Sequence, residues 1–126
     1  MECKKYGNKT AIIQETFLNN KLHSFDDQPA RIYKSGTRVW YKNGKKHRDG
    51  DKPAKIYGDG TMKWYTNNLL HRDHDKPALI DSKGAMVWYN NGVIERKNNL
   101  PAVITKDGNV EWFHNGVFFG MQKVFN

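Results

Sequence analysis

The stretch that decides the fold is Pro29-Ala30-Arg31-Ile32-Tyr33-Lys34-Ser35-Gly36-Thr37-Arg38-Val39-Trp40-Tyr41-Lys42-Asn43-Gly44-Lys45-Lys46-His47-Arg48-Asp49-Gly50-Asp51-Lys52. Its landmarks return every 24 residues. Pro-Ala recurs at Pro53-Ala54, Pro77-Ala78 and Pro101-Ala102, and isoleucine follows Ile32 at Ile56, Ile80 and Ile104. Glycine recurs at Gly60, Gly84 and Gly108, and tryptophan with a following aromatic at Trp64-Tyr65, Trp88-Tyr89 and Trp112-Phe113. A fixed period of this length marks an array in which each unit buries its apolar face against its neighbours. Such arrays usually present surfaces and rarely do chemistry.

Within the unit, Ala30 and Ile32 alternate with Arg31 and Tyr33, the period-2 pattern of a half-buried strand. Lys34-Ser35-Gly36 reads as a turn, and Thr37 to Tyr41 as a second strand rich in β-branched and aromatic residues. Asn43-Gly44 is a strong type I′ hairpin signal, repeated at Asn91-Gly92 and Asn115-Gly116 and as Asn67-Asn68. A short third strand or extended leg follows from Lys45 to Arg48, and an aspartate-rich loop leads to the next proline. The expected fold is all-β, with four to five 24-residue β-hairpin repeats in an elongated, twisted antiparallel meander, as a single-layer sheet or open solenoid.

Alternation predicts that tryptophan, isoleucine and alanine line the buried side, with the tryptophans stacked along the array. The intervening column, Val39, Lys63, Val87 and Glu111, is expected to face water. The structural core would then be Trp40, Trp64, Trp88, Trp112, Ile32, Ile56, Ile80 and Ile104. Each tryptophan buries roughly 150–250 Å², so truncating one to alanine should cost about 3–5 kcal/mol.

The chain divides as a single repeat domain: a degenerate N-terminal cap over 1–28, full repeats over 29–52, 53–76 and 77–100, and a last repeat with an apolar C-terminal cap over 101–126. The cap replaces the polar leg by Val117-Phe118-Phe119-Gly120-Met121 and ends in Val124-Phe125. It reads either as a folded-back lid or as an oligomer or partner-docking edge built on Phe118, Phe119, Met121 and Phe125. Net charge is +8, with 14 Lys/Arg against 7 Asp/Glu in residues 1–63 and 7 against 6 in 64–126. That asymmetry suits an acidic partner at the N-terminal half, nucleic acid or protein. Cys3 is the single cysteine, which excludes an internal disulfide and fits a reducing, cytoplasmic compartment. No apolar run reads as a signal peptide or a membrane span.

The run His47-Arg48-Asp49-Gly50-Asp51-Lys52-Pro53-Ala54, with Ile56, Gly60, Trp64-Tyr65 and Asn67 behind it, resembles a degenerate MORN-type repeat. It is similar to the HR-x-DGPA…DG…W-x-x-NG repeats of uncharacterised phage and large-DNA-virus proteins, and to the variant MORN repeats of a bacterial antitoxin-like family. The resemblance covers about residues 19–119. It implies stacked β-hairpins in a single-layer sheet, with binding roles and no catalytic residues. The chain departs from the pattern with Asp-Lys-Pro-Ala at 51–54 and 75–78, and with Asn99-Leu100 in the last unit.

His47-Arg48 and His71-Arg72, with Asp49, Asp51, Asp73 and Asp75 behind them, admit a His–Asp acid/base reading. A metal reading would group His71, Asp73, His74 and Asp75. The same columns become Glu95-Arg96 and Phe119-Gly120, which favours architecture: aspartates capping turns and arginines covering aromatic faces. No cofactor or metal is expected, and no enzyme. A binding surface is read in Lys42, Lys45, Lys46 and Lys55 interleaved with Tyr33 and Tyr57. The expected function is a non-enzymatic module, viral or phage-encoded, that binds and modulates a host protein in the host cytoplasm. The alternatives are sequence-independent binding of single-stranded nucleic acid, a homodimer through the cap, and a small-molecule sponge.

Overall fold

A computed structural model of the chain describes residues 1–8 and 10–123. It begins with β1 (Glu2–Lys5), β2 (Ile12–Leu18) and β3 (Lys21–Leu22). Three units of four short strands follow. They are β4 (Arg31–Tyr33), β5 (Arg38–Val39), β6 (Tyr41–Lys42) and β7 (Lys45–Lys46); β8 (Lys55–Ile56), β9 (Met62–Lys63), β10 (Tyr65–Thr66) and β11 (Leu69–Leu70); and β12 (Leu79–Ile80), β13 (Met86–Val87), β14 (Tyr89–Asn90) and β15 (Val93–Ile94). The last unit holds β16 (Val103–Ile104), β17 (Val110–His114) and β18 (Val117–Gln122). All pairing is antiparallel, and the fold is an open all-β meander.

One 12-stranded sheet runs β1-β2-β4-β5-β8-β9-β12-β13-β16-β17-β18, with β3 beside β2. The pairs β6–β7, β10–β11 and β14–β15 form small ladders beside it. Both central turn residues of each ladder have positive φ, at Asn43 and Gly44, Asn67 and Asn68, and Asn91 and Gly92, as a type I′ turn requires. These hairpins stack turn upon turn. The amide N–H of Gly44 donates to Leu22 O, Asn68 to Lys46 O, Gly92 to Leu70 O and Gly116 to Ile94 O, at 2.7–3.0 Å.

Register is set at the alanines. Ala54 N–H donates to Lys63 O within its own unit, and Ala54 O accepts from Trp40 N–H of the unit before. Ala78 and Ala102 repeat this arrangement, and like Ala54 both are fully buried. Trp40, Trp64 and Trp88 are only 3–6% exposed, so these members of the expected core are buried. Ile32, Ile56, Ile80 and Ile104 are half-buried instead. They lie in a cross-strand row with Arg38, Met62, Met86 and Val110 on one sheet face.

Two expectations are corrected. Val39 does not face water; it is 1% exposed and packs with Ala30 and Tyr41 beneath Leu22 and Tyr33. Simple alternation fails there because the chain leaves the strand at Trp40, between β5 and β6, and the N-terminal unit covers Val39. Lys63, Val87 and Glu111 in the same column are half-buried. The tryptophans do not stack on one another, since an arginine lies over each buried one. The expected short third strand is present over Lys45–Lys46, and beyond it Arg48 covers Trp40.

Candidate functional site

The covering of each tryptophan is a clasp built from three consecutive stretches of chain. Asp27 starts the first one: its carbonyl accepts from Trp40 Nε1 at 3.0 Å, and its carboxylate from Arg48 Nε and Nη2 at 2.9 and 3.1 Å. Lys52 Nζ lies 2.7 Å from the same carboxylate, while Arg48 Nη1 donates to Pro53 O at 3.1 Å. The guanidinium sits 3.8 Å from the centre of the Trp40 ring. Asp51, Trp64, Arg72, Lys76 and Pro77 O repeat this geometry, with 3.8 Å between Arg72 and the Trp64 ring. Asp75, Trp88, Arg96 and Pro101 O repeat it again at 3.9 Å, but Leu100 stands where lysine stood.

The carboxylates respond in order. Hydrogen bonds from Arg48 and then Lys52 hold Asp27 far below the ordinary carboxylate range. Arg72 and then Lys76 take Asp51 down to about 2. Arg96 alone lowers Asp75. The Asx-turn role expected for these aspartates falls elsewhere, to Asp59 and Asp81, whose Oδ1 atoms accept from Thr61 and Lys83 amides.

In the fourth unit the clasp is missing while its floor remains. Trp112 Nε1 still donates to the loop carbonyl, now of Asn99, at 3.0 Å. Gly120 occupies the arginine column and Asn99 the aspartate column. Among the described residues no cation lies over Trp112, which is half-buried where the other three tryptophans are buried. The reason is topological. In inner units the leg after the hairpin departs to clasp the indole; in the last unit the same segment stays paired to β17 as β18 and closes the sheet. One segment cannot do both.

An open cavity of about 630 Å³ results, lined by Arg96, Asn99, Leu100, Trp112, Phe119 and Gly120 among others. Beside it β18 is an edge strand of six residues without a charge. Val117, Phe118, Phe119 and Met121 are 52–74% exposed, which rules out the folded-back lid for these residues and leaves the edge reading. Phe118 packs edge-on to Phe113 at 5.6 Å; Phe119, the extra residue of a β-bulge between Trp112 and Phe113, leans on His114. Phe125, the fourth residue expected at this edge, lies outside the described residues.

The expected basic–aromatic surface does not assemble as one patch of free side chains. Lys42, Lys45 and Lys46 stand on the β6–β7 hairpin, where Lys42 is 3.9 Å from Asp49 and Lys46 lies over the Tyr65 ring at 4.9 Å. Lys55 stands in the main sheet, directly opposite Lys63, and both point their ammonium groups at Tyr57, 4.5 and 5.1 Å from its ring. Burial pushes the Tyr57 phenol up, but bonding to Lys63 and Lys55 outweighs it and holds the phenol below its ordinary value. Tyr33 accepts a long hydrogen bond of 3.4 Å from Arg31, which is itself paired to buried Glu15. The tyrosines already have cations as partners, so they are poor free platforms for bases.

His71, Asp73, His74 and Asp75 do line one cavity, of about 210 Å³. Their chemistry is committed, however. His71 Nε2 lies 2.7 Å from Asp73 and its Nδ1 accepts the Asn91 amide at 3.0 Å, while Asp75 holds Arg96. With both ring nitrogens engaged, His71 has none left to accept a substrate proton. His47 pairs likewise with Asp49 at 2.8 Å, and its Nδ1 is buried without a partner. Among the described residues no group of three or more potential ligands could hold a metal ion, and no helix is long and apolar enough to cross a membrane. Comparison with protein-family models, with curated proteins and with solved structures returned no match.

Proposed function

We propose that the chain is a non-enzymatic protein-binding module that docks its partner on the C-terminal end of the array. One observation carries this reading: the uncharged edge strand β18 exposes Val117, Phe118, Phe119 and Met121 beside a half-buried Trp112 over which no cation lies among the described residues. Contiguous exposed aromatic and aliphatic residues of this kind mark interaction surfaces, and a tryptophan in an open cavity is a common anchor. The opposite edge, β1, is blunted by Lys4 and Lys5 in the manner of protected edges. The partner class follows the resemblance to viral and phage repeat proteins: a host protein in the cytoplasm. The stacked clasps supply the rigid scaffold.

The test is affinity capture from nuclease-treated host lysate, run in parallel with Phe119→Ser/Met121→Ser. Both side chains are more than half exposed, so the variant should fold as the parent does. A stoichiometric protein retained by the parent and lost by the variant supports the reading. Equal retention places the docking surface elsewhere, and material lost on nuclease treatment moves the function to nucleic acid. Sedimentation of the purified protein alone reports whether a second copy covers the edge.

A further inference from the structure

The inner clasps show what the empty slot is shaped to hold. At Trp40, Trp64 and Trp88 the occupant of the indole face is a guanidinium, 3.8–3.9 Å above the ring. At Trp112 the indole keeps its bond to the loop carbonyl, so the floor of the slot has the same anchoring as in the filled copies. Trp112 and Gly120 line one open cavity, and a Cβ at Gly120 would meet nothing within 4 Å among the described residues. We propose that the Trp112 slot receives an arginine side chain supplied by the protein partner, an inference that rests on the docking reading above.

Charge is consistent with this occupant. The first two clasps each combine one aspartate, one arginine and one lysine, a sum of +1 (Asp27, Arg48, Lys52; Asp51, Arg72, Lys76). The fourth slot has the uncharged Asn99 and Gly120 in the first two columns and Leu100 of the preceding clasp on its wall, where the guanidinium of Arg96 is already paired with Asp75. An incoming arginine would bring the slot to +1 as in the first two clasps, whereas the third, Asp75 and Arg96 with Leu100, sums to zero. Losing Asp and Arg together also avoids leaving a carboxylate without its cation. The Asn99 side-chain oxygen offers the guanidinium one acceptor where an aspartate would offer two. Leu100 and Phe119, 38% and 74% exposed, provide apolar surface for the methylene stem of an arginine whose head lies on the indole.

The test uses the whole protein, ¹⁵N-labelled, and follows the indole Nε1–H resonances while capped Gly-Arg-Gly, Gly-citrulline-Gly and Gly-Leu-Gly peptides are added. Citrulline keeps the plane and length of arginine without its charge. The arginine peptide should move the Trp112 resonance and leave Trp40, Trp64 and Trp88 in place, with millimolar affinity. The citrulline and leucine peptides should bind at least about fivefold more weakly, the scale of a cation–π contact. Asn99→Asp should tighten the arginine peptide about fivefold, as a partly exposed charge pair does, and leave the leucine peptide unchanged. That variant keeps the fold, since Asp27, Asp51 and Asp75 hold the same positive φ near 55° as Asn99. A leucine peptide that binds as well as arginine, no selective movement of Trp112, or no gain from Asn99→Asp would each overturn the proposal. If the titration fails while Phe119→Ser/Met121→Ser still loses its captured protein, the arginine occupant falls and the docking surface stands.

Discussion

Replacing Arg72 probes the clasp where it has neighbours on both sides. Arg72→Ala removes the guanidinium lying 3.8 Å over Trp64, the bond to Pro77 O at 3.1 Å, and one of the two cations on Asp51. Stacking of this kind is worth about 1 kcal/mol. The charge-assisted bond to a carbonyl, from a guanidinium side chain only 14% exposed, adds about 1.5 kcal/mol. The ion pair adds about 0.5 kcal/mol, discounted because the Asp51 side chain is 41% exposed and Lys76 remains on it. The expected loss is about 3 kcal/mol from a total stability of about 5–15 kcal/mol for a domain of ordinary size. Arg72→Lys keeps the ion pair and loses the planar fork, so it should lose about 2 kcal/mol. Urea unfolding followed by tryptophan fluorescence measures both; with a slope of about 1–2 kcal/mol/M, the alanine variant's midpoint should fall by roughly 2 M. Loss below about 1 kcal/mol for alanine, or a lysine variant matching the parent, would refute the clasp as the structural unit.

Acid should loosen the array through the same aspartates. Their folded pKa values are lowered, so their contribution is fully present above the unfolded value, about 3.9, and is lost as pH falls toward the folded value, about 2 for Asp51. The urea midpoint should therefore hold steady from about pH 7 to 5 and drop between about pH 5 and 2, with Asp51→Asn flattening that drop; a midpoint indifferent to acid contradicts the assignment. Gly58→Ala should destabilise by about 1–3 kcal/mol, because its Cβ would lie 2.0 Å from Ser35 O, a backbone atom with nowhere to move. Gly7→Ala, with open space around it, is the control, and equal melting temperatures for the two variants would show that the turns are not in contact.

The 24-residue period made most of the fold legible, because each landmark has a local cause. The Asn-Gly pairs demand the type I′ geometry seen at Asn43, Asn91 and Asn115, and the alanine column occupies fully buried positions. Arginines over aromatic rings were also readable. Their aspartate partners were not, since Asp27 and Arg48 lie 21 residues apart and belong to different units. Val39 was misplaced because alternation assumes a strand that continues through Trp40, where the chain in fact turns. At the β18 end the signal was present: the arginine column 48, 72 and 96 becomes Gly120, and the aspartate column 27, 51 and 75 becomes Asn99. What the period could not show is that the leg, once used as β18, leaves Trp112 open.

Site-specific photo-crosslinking tests whether the partner sits on the β18 end. A benzoylphenylalanine at position 119, where Phe119 is 74% exposed, is compared with one at position 83, in an exposed turn of the third unit. In nuclease-treated host lysate the account predicts one dominant protein adduct from 119 and none from 83. The same adduct from 83 with none from 119 would contradict it.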